Sequence, residues 1–473
     1  MNKYVQVYKS ENYVCLYNSL TMDIAYVHNK DFFNDSLSNE VELLLPKEIR
    51  DDDNYIETIE NNLEKKLIPD VTTMFMFLNE NCNMYCEYCR YIHKLPKDFK
   101  GTVLDVEKGK RQINKFITWN VEQKKNKTIV FFGTEVLLEK NILFELIRYV
   151  RKIEKEYELN NIELVVFTNG ILLTEEVILF LIENTVVPIV SIDGWKELHD
   201  KARINKCGMG TFEIIQKNCS IMNSKGLRFG ISLTVGEHNI DFLPEIVRYF
   251  ATEFNPINIG MNPMEINNKE KREIFFEKYI QQVLEAYKVA RELNISIPQV
   301  MRRIRPFVEK KHRVKECPTC GGAIRVYPTG KIGTCSHFIA VNEQCMDETE
   351  FLSTDFQQNR IIKNWSNRTQ FKFENCQKCE AISLCGGGCV YNAWLQNGDI
   401  MSPDYRICTH SKYALEWCIW ELFRMSKGKE IIKKKHIFVP NVKMRKLIYG
   451  MLNEDKLNLP LQAYNTYGEI KLY

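Results

Sequence analysis

The sequence predicts an α/β fold: a partial barrel of six strand–helix units, preceded by a small β-rich domain and followed by a cysteine-rich one. Three observations carry that prediction. Short apolar runs alternate with helical periodicity from about residue 70 to 300, which implies parallel strands joined by right-handed crossovers. The first run, Val71 to Leu78, leads into Cys82-Asn-Met-Tyr-Cys86-Glu-Tyr-Cys89, a ligand loop at the strand end where barrels place their chemistry. Between residues 317 and 408 stand nine cysteines, eight of them at short, metal-like spacings among glycines, as in a domain held by metal rather than by core.

Residues 1–68 alternate apolar and polar positions in three runs: Tyr4, Val5, Val7 and Tyr8; Tyr13, Val14, Leu16 and Tyr17; Ile24, Tyr26 and Val27. Turn residues separate them, so they read as short antiparallel strands, with a helix following over Ile56 to Lys66. In the region 69–300, Val71–Leu78, Thr128–Phe132, Ile162–Phe167, Val186–Ile192, Arg228–Thr234 and Ile257–Met261 read as buried strands. Helical stretches fall near 105–118, 140–157, 174–184, 211–225 and 241–252, and a long one runs from Lys269 to Leu293. Region 301–426 is the cysteine-rich domain, ending in an amphipathic helix over Tyr413–Met425. The extension 427–473 carries ten basic against four acidic residues, which favours a solvated surface over a binding patch. Arg302 to Lys315 holds seven Lys or Arg in fourteen positions and reads either as a solvated linker or as a surface for an acidic leader segment.

At 473 residues the chain can hold two or three domains. Its 45% hydrophobic and 26% charged content and net charge of +3 are those of an ordinary globular protein and mark no nucleic-acid partner. No run of about eighteen apolar residues suggests a membrane span. Lys3, Lys9 and Glu11 interrupt any secretory start. Sixteen cysteines without an export signal point to reduced, metal-binding thiols in a cytoplasm kept free of oxygen.

Three thiolates on one loop can hold three irons of a 4Fe–4S cluster, which takes four Cys ligands. The fourth iron is then open to a small molecule. The alternative is a fragment of a zinc site, although the spacing is unusual for zinc. With its preceding strand, the motif Cys82, Cys86, Cys89 resembles that of the radical SAM enzymes. The resemblance implies that S-adenosylmethionine chelates the open iron and is cleaved reductively to a 5′-deoxyadenosyl radical. Phe132-Gly133-Thr134-Glu135-Val136 resembles the family's Gly-Gly-Glu-Pro segment, departing from it at Thr134 and Val136; it implies that Gly133, Thr134 and Glu135 hold the methionyl amino group. Asn169, within Thr168-Asn169-Gly170, ends the third strand. Ser191-Ile192-Asp193-Gly194 with His199, Asp200 and Arg203 looks like the family's Ser-Ile-Asp-Gly, His-Asp, Arg stretch. It implies that Ser191 and Arg203 meet the ribose and carboxylate, Arg203 through its forked donors, and that Tyr88 lies near the adenine. For Asp193 and Asp200, turn or capping chemistry is an equal alternative.

Cys376-x2-Cys379-x5-Cys385-x3-Cys389, followed by Cys408, is similar to the auxiliary-cluster domain called SPASM, and Cys320-x9-Gly330-x4-Cys335 is similar to the motif that opens it. The resemblance assigns Cys317, Cys320, Cys335 and Cys389 to one further 4Fe–4S cluster and Cys376, Cys379, Cys385 and Cys408 to another, three clusters in all; paired zinc sites are the alternative. Whether Cys317 and Cys320 both serve stays open. Cys15, Cys207, Cys219, Cys345 and Cys418 are left over, Cys219 and Cys418 in helical patterns that suit core residues.

The group so resembled is dominated by peptide-modifying enzymes. The first expectation is therefore a maturase that forms thioether crosslinks in a ribosomally made, Cys-containing precursor peptide. Its reductant would be a flavodoxin or ferredoxin, and an exposed edge of the N-terminal strands could capture a leader peptide. An anaerobic sulfatase-maturating enzyme is the second expectation, but that family places an Asp after the cysteine that here is Cys335, where this chain has Ser336 and His337. A peptide-binding protein that keeps the fold without catalysis is the third.

Overall fold

The N-terminal alternation folds as an antiparallel sheet of β1 (Val5–Lys9), β2 (Tyr13–Asn18) and β3 (Ile24–His28). The computed structural model describes residues 2–33, 36–51, 55–64, 67–89, 91, 100–266, 268–338, 341–453, 456 and 469–470. The end of the expected helix at Lys65 and Lys66, and most of the extension beyond residue 453, lie outside the described residues. A helix covers Tyr55–Glu64. The inner edge of the sheet is completed by Ile437–Phe438, which pairs with Val27 and Tyr26 of β3. Over its described length the basic extension is therefore more than a solvated surface. Arg445 is buried and donates to the carbonyls of Met22 (2.6 Å) and Phe307 (2.8 Å). Composition alone cannot distinguish such an anchor from a solvated cation.

Six parallel strands follow, each with its helix. They are β4 (Thr73–Met76), α1 (Val106–Thr118), β5 (Lys127–Phe131), α2 (Lys140–Glu156), β6 (Ile162–Thr168), α3 (Glu175–Glu183) and β7 (Val186–Ser191). Then come α4 (Lys196–Ala202), α5 (Phe212–Ser224), β8 (Gly230–Val235), α6 (Leu243–Glu253), β9 (Ile259–Pro263), α7 (Lys269–Glu292) and α8 (Pro298–Glu309). Residue chemistry sets the helix starts: Asp105 caps α1 through Lys108 N at 2.8 Å, and Asn268 caps α7 through Lys271 N at 3.0 Å. At the other end of α1, the buried Lys127 ammonium donates to the carbonyls of Phe116, Ile117 and Trp119, satisfying acceptors that a helix end leaves open. The strand period of two sorts the side chains. Phe75, Val130, Val165 and Ile189 turn into the barrel, joined by Phe132, Phe167 and Val187. Met74, Met76, Ile129, Phe131, Leu164 and Val166 pack under the helices.

The cysteine-rich region enters this sheet directly. β10 (Ala323–Val326) pairs parallel with β4, and β11 (Ile332–Gly333) and β12 (Cys345–Met346) extend it antiparallel, giving the order β9-β8-β7-β6-β5-β4-β10-β11-β12. Four residues are too few for a readable period, so the sequence did not announce β10. The basic run is corrected too: Arg302 and Arg303 lie on α8, and Arg303 and Arg313 are buried against Glu316 (2.8, 2.9 and 3.2 Å), so this is neither a linker nor a wholly solvated surface. The last long helix starts at Tyr405 rather than Tyr413, capped by Asp404 on Arg406 N. No helix among the described residues is long and apolar enough to cross a membrane.

Candidate active site

The Cys82–Cys89 loop leaves the C-terminal side of β4 and is stitched to the segment after α4. Tyr85 N donates to Ile204 O (2.8 Å) and Glu87 N to Ala202 O (2.9 Å). Inside the loop, Met84 N lies 3.5 Å from the Cys82 sulfur and Cys89 N bonds Cys86 O. From β6, Asn169 Nδ2 donates to Asn83 Oδ1 (2.7 Å) and stands 4.0 Å from the Cys82 sulfur. Burial pushes the Cys86 thiol up to about 11; the Arg203 guanidinium opposes that, and Cys82 and Cys89 add to it. The three sulfurs therefore lie within electrostatic reach of one another.

Behind this loop sits a buried polar hub centred on Asp193. Its Oδ2 accepts from Tyr88 Oη (2.5 Å), pairs with Arg203 Nε (2.9 Å) and lies 3.7 Å from His238 Nε2. Its Oδ1 accepts from Thr234 N (2.9 Å). Burial alone would raise this carboxyl, but Arg203, His238, His199 and Tyr88 together hold it well below the usual carboxylate range. The Arg203 guanidinium also stands over the Tyr88 ring at 5.5 Å, and Tyr88 stacks on His238 at 6.1 Å. His199, lowered to about 4 by burial, bonds Thr211 Oγ1 through Nε2 and accepts from Asp193 N. Asp200 accepts from Thr211 N and Phe212 N at the start of α5, the capping role open to it from sequence. Ser191 ends β7 half-buried. Sequence reasoning missed His238; its position just past the end of β8 was the available signal.

Gly133 has φ +141°, and a Cβ there would stand 2.7 Å from Phe77 Cδ1, so this bend requires glycine. Thr134 Oγ1 donates to the side chain and carbonyl of Asn79. Glu135 is fully buried: Oε1 accepts from Leu137 N and Thr168 Oγ1, and Oε2 from Asn169 N (3.0, 2.8 and 2.7 Å). Burial raises its pKa and these three bonds oppose the rise. The carboxylate braces the ends of β5 and β6 rather than standing open to a ligand ammonium.

The remaining cysteines separate into two groups. Cys335, pushed up to about 12 by burial, is raised further by Cys389 and Cys317; Cys317 also acts on Cys320 and on Cys389. Cys385 and Cys408 share a hydrogen bond that lowers the first and raises the second; Cys376 and Cys379 also raise Cys408, and Cys385 raises Cys376 and Cys379. None of the sixteen cysteines is in a disulfide. Among the described residues no three His, Cys, Asp or Glu side chains converge closely enough for a single metal ion; a mononuclear tetrahedral thiolate site would bring its sulfurs within about 4 Å. The trio Cys82, Cys86 and Cys89 fits a cluster in which each thiolate meets its own iron and a fourth iron stays open. Of the rest, Cys15, Cys219 and Cys418 are buried core, Cys207 is exposed, and Cys345 lies 3.6 Å from Phe338 O.

A cavity of about 400 Å³ opens between the barrel interior and the loop after Cys335. Phe75, Phe132 and Phe167 wall one side, Asn262 and Gln299 another, and Ser336 and His337 reach it from the cysteine-rich domain. His337 is stacked on Tyr391, ring centroids 4.3 Å apart.

A metal-loop strand, a partial parallel barrel and clustered thiols define a class, and comparison with known proteins gives it a name. Residues 76–250 match the Radical SAM superfamily. Those residues carry a radical SAM domain, and the chain is related to enzymes that share it. It is 23% identical to a cysteine-type anaerobic sulfatase-maturating enzyme of Clostridium novyi over 66% of this chain and 86% of that one. It is 21% identical to the radical SAM cyclopropyl synthase TigE of Paramaledivibacter caminithermalis over 92% and 90%. Among solved structures, anSMEcpe with bound AdoMet superposes with TM-score 0.62 at 19% identity, covering 75% of this chain and 95% of the other. SuiB of Streptococcus suis, bound to the precursor peptide SuiA, gives 0.52 at 12%, covering 86% and 99%. The fold is thus shared with both.

Proposed function

We propose that the chain is a peptide maturase that joins a cysteine sulfur of a ribosomally made precursor to a carbon of the same peptide through a thioether. The observation that carries this is the cavity: it is walled jointly by the barrel and by the loop following Cys335, so one peptide residue can meet both the radical site and the thiol-rich domain. Bound SAM and its cluster would supply a 5′-deoxyadenosyl radical there. On this reading Cys82, Cys86 and Cys89 hold the SAM-cleaving cluster, and the two quartets hold two auxiliary ones. Ser191 and Asn169, at neighbouring strand ends, meet SAM; Gly133 and Thr134 offer it backbone; Tyr88, Glu135 and Arg203 fix the surrounding wall. The boundaries 1–68, 69–300, 301–426 and 427–473 mark the functional units, with the outer edge of β1, which among the described residues pairs with β2 alone, as the leader's docking strand and a flavodoxin or ferredoxin as reductant. The precursor peptide bound by SuiB supports a peptide partner.

His337 at the cavity favours one second reading, sulfatase maturation with His337 as base. Anaerobic co-expression with a short Cys-containing peptide encoded beside the gene, read by mass spectrometry, separates the two. Loss of about two mass units per link with one thiol no longer alkylatable establishes the thioether. A carbonyl at the former cysteine, trapped by hydrazine, establishes formylglycine instead and overturns our reading.

A further inference from the structure

We infer that the barrel cavity receives an aromatic side chain of the peptide, seated between three phenyl rings and the space left open by Gly260, which sets the size of residue accepted. The inference rests on the peptide reading above and names the class of residue presented beside the radical. Phe75, Phe132 and Phe167 line the cavity from β4, the end of β5 and β6, and Gly260 lines it from β9 at the other end of the barrel.

Strand register explains the room. Phe167 pairs with Ile189 and Ile189 with Gly230, so within one inward layer the side chain shrinks from phenyl to hydrogen across β6, β7 and β8. The space beside Gly230 is taken: a Cβ there would stand 2.5 Å from Asn258 Oδ1 and 2.7 Å from Ile189 Cδ1. Gly260 is different. It pairs with Ser232 in ordinary strand, and a Cβ there would meet nothing nearer than the Ile231 carbonyl at 3.6 Å. Neither backbone conformation nor crowding demands glycine at this position, so its missing side chain leaves room in the cavity rather than relieving strain.

The rings favour an aromatic occupant over an aliphatic one. Phe132 meets Phe75 edge to face (6.1 Å, 83°) and Phe167 likewise (5.2 Å, 84°), a run of the pairings aromatic side chains prefer, which another ring can continue. The Arg325 guanidinium lies over the Phe75 ring at 4.4 Å. A guanidinium in such a wall stacks on a ring while its N–H groups serve partners in its own plane. The opposite wall suits the flanking backbone. Gln299 Nε2 donates to Asn262 Oδ1 (2.8 Å), Asn262 Nδ2 to Ser232 Oγ (3.3 Å), and Gln299 Oε1 accepts from Met261 N (2.9 Å). Each amide nitrogen has a second hydrogen, of the kind that meets a peptide carbonyl. None of Ser191, Asn169 and Arg203 is among the described lining residues, so the pocket is separate from the wall read for SAM.

The test uses the full-length, anaerobically reconstituted protein with SAM and a displayed library of Cys-containing peptides. At a fixed distance from the cysteine, Phe, Tyr or Trp should be enriched about fivefold over Leu, Ile or Met among retained peptides. Gly260→Val puts a β-branched side chain, suited to a strand, into the pocket. A synthetic copy of a retained peptide should bind that variant about tenfold more weakly than the native protein, whereas a copy with the aromatic residue changed to Ala should bind both proteins alike. Gly260→Ala, whose added carbon has room, should show a smaller loss of the same kind and carries the test if Gly260→Val fails to fold. Peptides retained without aromatic preference, or with a preference that survives Gly260→Val, overturn the aromatic pocket while leaving the peptide reading intact. An equal loss for the aromatic and the Ala copies also overturns it, because the variant then acts through the fold and not through the pocket. Retention of no peptide overturns both. Weakened SAM binding in Gly260→Val would place the adenine in the cavity and likewise overturn the inference.

Discussion

Asp193→Asn isolates the hub that fixes the cysteine loop to the barrel. In the native chain the carboxylate is fully buried and meets Tyr88, Arg203 and the Thr234 amide. The substitution keeps the shape but strands the Arg203 guanidinium, itself 7% exposed, without its counter-charge. Breaking one side of a buried ion pair costs about 3–5 kcal/mol. At about 2–4 °C per kcal/mol for a unit the size of the barrel domain, the melting transition should fall by about 6–20 °C. A second change, Arg203→Met, should recover at least half of that loss, because a pair replaced on both sides leaves no buried charge. The pH dependence has a definite sign. The folded carboxyl lies below its ordinary value, so the native chain's margin over the variant is complete above about pH 4 and shrinks as pH falls below it. Differential scanning calorimetry of the single and double variants between pH 3 and 8 reads all of this. A loss under about 1 kcal/mol at pH 7, or a double variant no better than the single one, would refute the hub argument.

Glu135→Gln sets an amide donor against one of the N–H groups that the carboxylate now serves, so it should cost about 1–3 kcal/mol in thermal unfolding; an unchanged transition would deny that Glu135 braces β5 to β6. Lys127→Met removes three bonds to the end carbonyls of α1 and should cost about 1–3 kcal/mol, with amide exchange at the C-terminal turn of α1 rising well before that elsewhere in the barrel. Replacing Cys82, Cys86 and Cys89 together by Ala should lower bound iron from about twelve to about eight per chain and abolish deoxyadenosine formation, whereas deoxyadenosine formed at the native rate would remove the trio from the site.

What could be read from the sequence, and what could not, divides by the range of the interaction. The six barrel strands were legible because each is a local apolar run, and the cysteine loop because its ligands lie within eight residues of one another. The thiol quartets were drawn from motif resemblance alone, since their members are scattered over some ninety residues and no local pattern pairs them. The Asp193 hub was not legible, since it joins Tyr88, Arg203 and His238 from three separate barrel segments, and Asp193 taken singly suits a turn or a ligand contact equally well. Arg325 was hidden for a different reason. Its four-residue strand has no period of its own, and only pairing with β4 decides which way its side chains point. That pairing is also what gives the cavity two walls from distant parts of the chain. A one-residue slip of β10 would turn Arg325 out of the barrel and bring a neighbouring apolar side chain in. The register of this short strand therefore decides whether a guanidinium or an apolar side chain faces the cavity.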